Sequence, residues 1–279
     1  MKKKIEEALP KIVGKLINTT SHVSKTYAAK KALTIFATPR KGKIKPELLE
    51  FLKSAKPLEL EYNGLKIATY QWIGKNKTIL LAHGWESNSV RWKNLIKDLQ
   101  KEHYNIIALD APAHGNSGSN TFNAILYSEF INVVSKKFQP EIIIGHSVGG
   151  MASVFFQKEH QLPSLKKLVL LGAPNAFAAI FENYINLLNY NSKVINALED
   201  LVIKSFGSPP NAFSTAKYGS SIQVNGLIIH DKKDTIIPFN DSVAIHKNLK
   251  NSKLIPTNGY GHSLNSNEVN NHILEFLKS

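Results

Sequence analysis

Of the 279 residues 43% are hydrophobic, enough for one large core, yet no apolar run approaches the ~18 residues of a bilayer-spanning helix. Cysteine is absent, which excludes disulfides, a thiolate metal site and a cysteine nucleophile. The net charge of +14 is concentrated, with 14 Lys/Arg against 4 Asp/Glu in residues 1–56 and near balance in residues 57–279.

Met1-Lys2-Lys3-Lys4 has the charge of an export signal, but Glu6, Glu7 and Pro10 occupy the place of its apolar segment, so a cytoplasmic protein is expected. Residues 1–36 read as basic amphipathic helices. Ile5, Leu9, Ile12, Val13, Leu16 and Ile17 share one face, Lys4, Lys11 and Lys15 lie elsewhere, and Pro10 predicts a break or a helix start. Such helices either pack on the main domain or make peripheral contact with an anionic membrane surface. A second helix is expected around Tyr27 to Phe36, and a short one from Lys45 with Pro46 in its first turn. Residues 1–56 are thus a basic helical extension. Its cations include Arg40, which with Arg91 makes up all the arginine in the chain. Arginine supplies the planar fork of nucleic-acid recognition, no nucleic-acid motif is present, and no nucleic-acid partner is expected.

Leu58 to Tyr62 and Leu65 to Tyr70 flank Asn63-Gly64, the signature of a hairpin. Short apolar runs then recur at Thr78–Ala82, Asn105–Leu109, Ile142–Ile144, Leu168–Leu171, Leu227–Ile229 and Lys253–Ile255, mostly alternating with helical stretches. That alternation predicts a mostly parallel eight-stranded sheet with helices on both faces, and active sites in such sheets lie at the carboxyl ends of the strands. Between about 175 and 221 the alternation stops. Phe177, Ile180, Phe181, Tyr184, Leu187, Leu188 and Tyr190 recur at helical spacing, which predicts a helical lid insertion lining an apolar pocket.

The run Ile142–Ile144 ends in Gly145-His146-Ser147-Val148-Gly149, and a helix follows at once. This strand–turn–helix setting is what a serine on a nucleophile elbow requires, because flanking side chains would collide with neighbouring backbone. A serine nucleophile needs a base, an orienting acid and oxyanion donors, each at a strand end. His262 follows the last strand and is the best base, whereas His246 and His272 fall within helical patterns. Asp231 and Asp234 both follow the run at 227–229, with Asp234 deeper in the loop. The N–H groups of Val148 and Trp85 are the candidate oxyanion donors, with Gly84 allowing close approach.

Together these residues resemble the α/β-hydrolase fold superfamily over roughly residues 57–279, in its serine-nucleophile, esterase-, lipase- and peptidase-like members with a helical lid. The carriers are His83-Gly84-Trp85, Asp110-Ala111-Pro112-Ala113-His114-Gly115-Asn116-Ser117, the Gly145–Gly149 elbow, Asp234-Thr235-Ile236-Ile237-Pro238 and Gly261-His262, with the order Ser…Asp…His. The resemblance implies Asp234 as the acid, through a His-Gly-x-x-Asp pattern matched by His230 to Asp234, with Asp231 standing where that pattern has glycine. It also implies structural roles for His83, His114 and His146 and for Gly84, Gly145 and Gly149. The expected activity is hydrolysis of a small-molecule ester or thioester by Ser147, His262 and Asp234, with no cofactor and no metal. The alternatives are a peptidase or amidase, with Glu182, Glu199 or Asp200 recognising an amine, and a non-catalytic binding or membrane-associated protein.

Overall fold

The structure is a computed structural model that describes residues 2–279, with side chains described from residue 8 onward. The expected placements of Lys4 and Ile5 on α1 therefore lie outside the described side chains. Eight strands form one sheet: β1 Lys56–Tyr62, β2 Leu65–Trp72, β3 Asn76–Ala82, β4 Tyr104–Leu109, β5 Ile142–His146, β6 Lys167–Leu171, β7 Asn225–Asp231 and β8 Ser252–Thr257. Their order is β1-β2-β4-β3-β5-β6-β7-β8. The pairs β1–β2 and β2–β4 are antiparallel and all others parallel. The β1–β2 hairpin closes through Asn63 and Gly64 with φ of 49° and 76°, the two left-handed residues that a type I′ turn demands.

The described residues also form eleven helices: α1 Lys2–Thr20, α2 Lys25–Ala37, α3 Leu49–Lys53, α4 Lys93–Lys101, α5 Ala124–Phe138, α6 Val148–His160, α7 Phe177–Leu188, α8 Ser192–Phe206, α9 Thr215–Gly219, α10 Phe239–Asn248 and α11 Asn267–Lys278. The chain forms two compact units, one of residues 39–175 with 215–279 and one of residues 1–38 with 176–214.

The larger unit carries the sheet. Alternate residues of a strand face opposite sides, and the two sides have separate cores. Ile79, Leu81, Ile144 and Val169 pack with Leu95 and Leu99 of α4 and Ile273 of α11. Leu80, Ile143, Leu168 and Ile228 pack with Phe130 of α5 and Phe156 of α6. Burial on both faces explains why the central strands read as continuous apolar runs rather than alternating ones. Because the central strands β3 to β8 run parallel, their carboxyl ends gather along one edge.

The smaller unit joins two segments far apart in sequence. Gly14 of α1 lies against the carbonyl of Leu188 at the end of α7, so close that a Cβ there would come within 1.7 Å of that oxygen. The Asn18 side chain donates to the Asn189 carbonyl (2.9 Å) and accepts from the Asn191 N–H (2.9 Å), bracketing the turn between α7 and α8. Tyr184 donates to the Ala32 carbonyl of α2 (2.7 Å). Phe36 meets Phe177, Phe181 and Tyr184 with ring centroids 6.0, 5.9 and 4.8 Å away.

The helical extension divides at residue 38, and residues 39–56 go with the sheet. The aromatic residues expected to line a pocket are engaged in packing within their own unit, with Phe181 buried. Helix α1 runs through Pro10, which lies in the interior of the helix and forfeits one intrahelical hydrogen bond without ending it. Glu182, Glu199 and Asp200 are solvent-exposed. Among the described residues no helix is long and apolar enough to cross a membrane.

Candidate active site

Ser147 sits between β5 and α6 at φ 53°, ψ −128°, a conformation that costs a non-glycine residue on the order of 1–3 kcal/mol. Three glycines make room for it. A Cβ on Gly145 would come within 2.5 Å of Gly150 Cα, and one on Gly149 within 2.3 Å of the Ala82 carbonyl oxygen. A Cβ on Gly84 would meet Ser147 Cβ at 2.9 Å, so the loop after β3 lies directly against the serine.

The loops after β7 and β8 bring Asp234 and His262 to the same point. His262 Nε2 is 3.0 Å from Ser147 Oγ, and His262 Nδ1 is 2.7 Å from Asp234 Oδ2. With Nδ1–H donated to the carboxylate, Nε2 is the free acceptor for the serine hydroxyl. The second carboxylate oxygen of Asp234 accepts the N–H groups of Ile236 (2.8 Å) and Ile237 (3.0 Å), and its side chain is fully buried. Ser147 is itself only 6% exposed, whereas the His262 side chain retains 21%. Ser147 N–H is spent on the Leu171 carbonyl (2.8 Å), but the N–H groups of Val148 and Trp85 have no hydrogen-bond partner among the described residues. Unsatisfied backbone donors beside a serine are available to a developing oxyanion.

Fixed loops hold this arrangement. His83 Nε2 accepts the Ala111 N–H (2.9 Å) and its Nδ1–H donates to the Gly84 carbonyl (2.7 Å). Burial, reinforced by neighbouring His114, pushes the His83 imidazole down to about 3, so it stays neutral. His114 Nε2 accepts the Glu86 N–H (2.9 Å), and the Trp85 ring lies edge-on to His114 and Phe122. Buried Asp110 gathers the Ser89 N–H and hydroxyl, the Asn116 N–H and the Tyr70 hydroxyl within 2.7–3.0 Å.

Residues 77–196 match the alpha/beta hydrolase fold family. The AB hydrolase superfamily protein YisY of Bacillus subtilis is 22% identical over 256 residues, covering 74% of this chain and 94% of that protein. The esterase of Exiguobacterium antarcticum superposes with TM-score 0.59 at 20% identity, covering 78% of this chain and 97% of the esterase chain. The thioesterase domain from the curacin biosynthetic pathway superposes with TM-score 0.61 at 16% identity, covering 81% and 99%. The family-model match, the relative and the solved structures all indicate the α/β-hydrolase fold superfamily.

The role of Asp231 is legible from its contacts. Its carboxylate accepts the Lys233 N–H (2.9 Å), the Thr257 hydroxyl (2.9 Å) and the Tyr260 N–H (2.9 Å), so it ties the end of β7 to the loop that carries His262. Burial alone would raise it. The hydrogen bonds from Tyr260, Lys233, Gly259 and Thr257 outweigh that and hold it at about 2. His230 is fully buried. Its Nε2–H faces the Ile237 carbonyl (2.9 Å) and Asp234 Oδ2 (3.2 Å), and its Nδ1 accepts from Ser242.

One contributor, Arg91, escapes sequence reasoning, and it acts through His146, for which the resemblance implies a structural role. His146 Nε2–H donates to the His262 carbonyl (2.8 Å), and its Nδ1 accepts from Arg91 (2.8 Å). Arg91 also donates to the Ser263 carbonyl (3.0 Å). The rarity of arginine in this chain was the one signal that could have singled out Arg91. Among the described residues no cluster of three or more His, Cys, Asp or Glu is arranged to hold a metal ion.

Proposed function

We propose that the chain is a serine hydrolase that cleaves a carboxylic ester or thioester of a small acyl group through an acyl-enzyme. The observation that carries this reading is the continuous line Ser147 Oγ–His262 Nε2 (3.0 Å) and His262 Nδ1–Asp234 Oδ2 (2.7 Å), beside two unpartnered N–H groups.

In the first half-reaction Ser147 Oγ attacks the acyl carbon while His262 Nε2 takes its proton. The imidazolium that forms is stabilised by the buried Asp234 carboxylate. Two backbone N–H groups and the imidazole all donate to that carboxylate. The tetrahedral oxyanion is held by the N–H groups of Val148 and Trp85. Collapse breaks the bond to the alkoxide or thiolate, which leaves with the proton from His262. Water then repeats the sequence on the Ser147 ester: His262 takes a proton from water, the carboxylic acid is released, and the proton returns to the serine. The fold likeness to an esterase and to a thioesterase domain is consistent with this acyl chemistry.

The test is reaction with a fluorophosphonate probe, wild type beside Ser147→Ala, followed by p-nitrophenyl esters and acyl thioesters of increasing chain length. Labelling that disappears in Ser147→Ala, together with turnover of esters or thioesters, is expected. A folded wild-type protein that neither labels nor turns over any of them would sink the reading.

A further inference from the structure

Helix α1 is apolar on two sides, and its own unit uses only one of them. Gly14 and Ile17 are buried, but Leu9, Ile12 and Leu16, at i, i+3 and i+7 along a single stripe, are 51%, 55% and 64% exposed. Val23 in the turn after α1 is 91% exposed. Single exposed apolar side chains are ordinary, but a stripe of three on one helix, continued in the adjacent turn, is the pattern of a surface meant to be covered.

The charge around the stripe selects what covers it. Lys11 and Lys15 stand exposed beside it, and neither pairs with a carboxylate among the described residues. From Ala8 to Pro46 the sequence has nine Lys/Arg and no Asp or Glu at all. A second copy of the chain would bring lysine against lysine across the contact, which is repulsive. An apolar stripe edged by cations is instead complementary to lipid: the side chains enter the acyl boundary and the ammonium groups meet anionic headgroups.

We propose that the outward stripe of α1, with the turn at Val23, docks the protein on a bilayer of anionic phospholipid without crossing it. Leu9, Ile12 and Leu16 supply the inserted surface, and Lys11 and Lys15 supply the preference for anionic lipid.

The experiment uses full-length protein, because removing α1 and α2 would strip the packing partners of α7 and α8. Wild type, Ile12→Glu/Leu16→Glu and Lys11→Glu/Lys15→Glu are sedimented with vesicles of phosphatidylcholine alone or of phosphatidylcholine with phosphatidylglycerol. The substituted positions are exposed, and far-UV circular dichroism checks that each variant is folded. Wild type is expected to partition onto the phosphatidylglycerol vesicles at least about ten-fold more strongly than onto neutral ones, and less strongly as salt rises. Each variant is expected to lose about ten-fold or more of that binding, since one lysine near an anionic surface contributes about five-fold. Absence of wild-type binding, or equal binding by wild type and Ile12→Glu/Leu16→Glu, overturns the proposal. So does self-association in analytical ultracentrifugation that Ile12→Glu/Leu16→Glu abolishes without any lipid binding; that result assigns the stripe to a second copy of the chain.

Discussion

Arg91 and His146, 55 positions apart in the chain, meet at 2.8 Å, and through them the backbone of His262 is held from behind. Burial, and then the cation of Arg91, push the His146 imidazole well below its ordinary range, so the ring is neutral and keeps one donor and one acceptor. The donor serves the His262 carbonyl and the acceptor receives the guanidinium. Arg91 is itself lowered by burial to about 10, which still leaves it charged at neutral pH.

Removing that support is expected to slow catalysis without abolishing it. A hydrogen bond to a charged group contributes about 1.5–3 kcal/mol, so Arg91→Met should lower kcat/KM by about ten- to a hundred-fold. Arg91→Lys retains charge but lacks the fork that reaches both His146 and Ser263, and should recover only part of the loss. Ester hydrolysis and fluorophosphonate labelling rates measure both. An unchanged rate for a folded Arg91→Met would show that the His262 loop holds its place alone.

Gly84 is packed so tightly against the elbow that the smallest added group should be felt at the serine. Gly84→Ala places a methyl 2.8 Å from His146 Nδ1 and 2.9 Å from Ser147 Cβ. The expected result is a labelling rate about a hundred-fold lower, comparable to losing one oxyanion donor, in a protein that still unfolds cooperatively. Stopped-flow labelling beside thermal denaturation separates the two effects.

Asp231 should act through stability and its pH dependence. Its folded-state value of about 2 lies below that of an unfolded aspartate, so its ionised form stabilises the fold above about pH 4. That contribution fades as pH falls from there through about 2. Asp231→Asn is expected to lower Tm at pH 7, with the gap to wild type closing between about pH 4 and 2. A gap independent of pH would mean that the carboxylate charge contributes nothing.

Gly14→Ala tests the joint between the two distant segments of the helical unit. Its methyl would lie 1.7 Å from the Leu188 carbonyl oxygen, a contact that only separation of α1 from α7 can relieve. Hydrogen exchange is expected to speed up in residues 1–38 and 176–214 together. Faster exchange in the N-terminal helices alone would count against a shared core.

Much of the site is legible in the sequence because its chemistry obeys a local rule. Ser147, Asp234 and His262 each lie in the few residues after a strand, and strands announce themselves as apolar runs such as Ile142–Ile144. Gly84, Gly145 and Gly149 are legible for the same reason, since only a hydrogen side chain fits between crowded backbones. The contact of Arg91 with His146 is not, because it is a tertiary one that no periodicity marks. The pairing of α1 with α7 is hidden likewise: Asn18 meets Asn189 and Asn191 across more than 170 positions, and nothing local to any of them predicts it. The apolar residues of α1 read as one face, whereas the folded helix divides them between an inward side and an outward one.

The order in which this chain leaves the ribosome sets a constraint on how the helical unit is made. Residues 1–38 are synthesised first, but the helices that complete their core, α7 and α8, follow only after the whole 39–175 stretch. At common elongation rates that delay is on the order of ten seconds, far longer than a helix hairpin needs to form. During it α1 and α2 have each other to pack on, but not α7 and α8. The core of the unit can therefore close only after its last segment, ending at Ser214, has been translated.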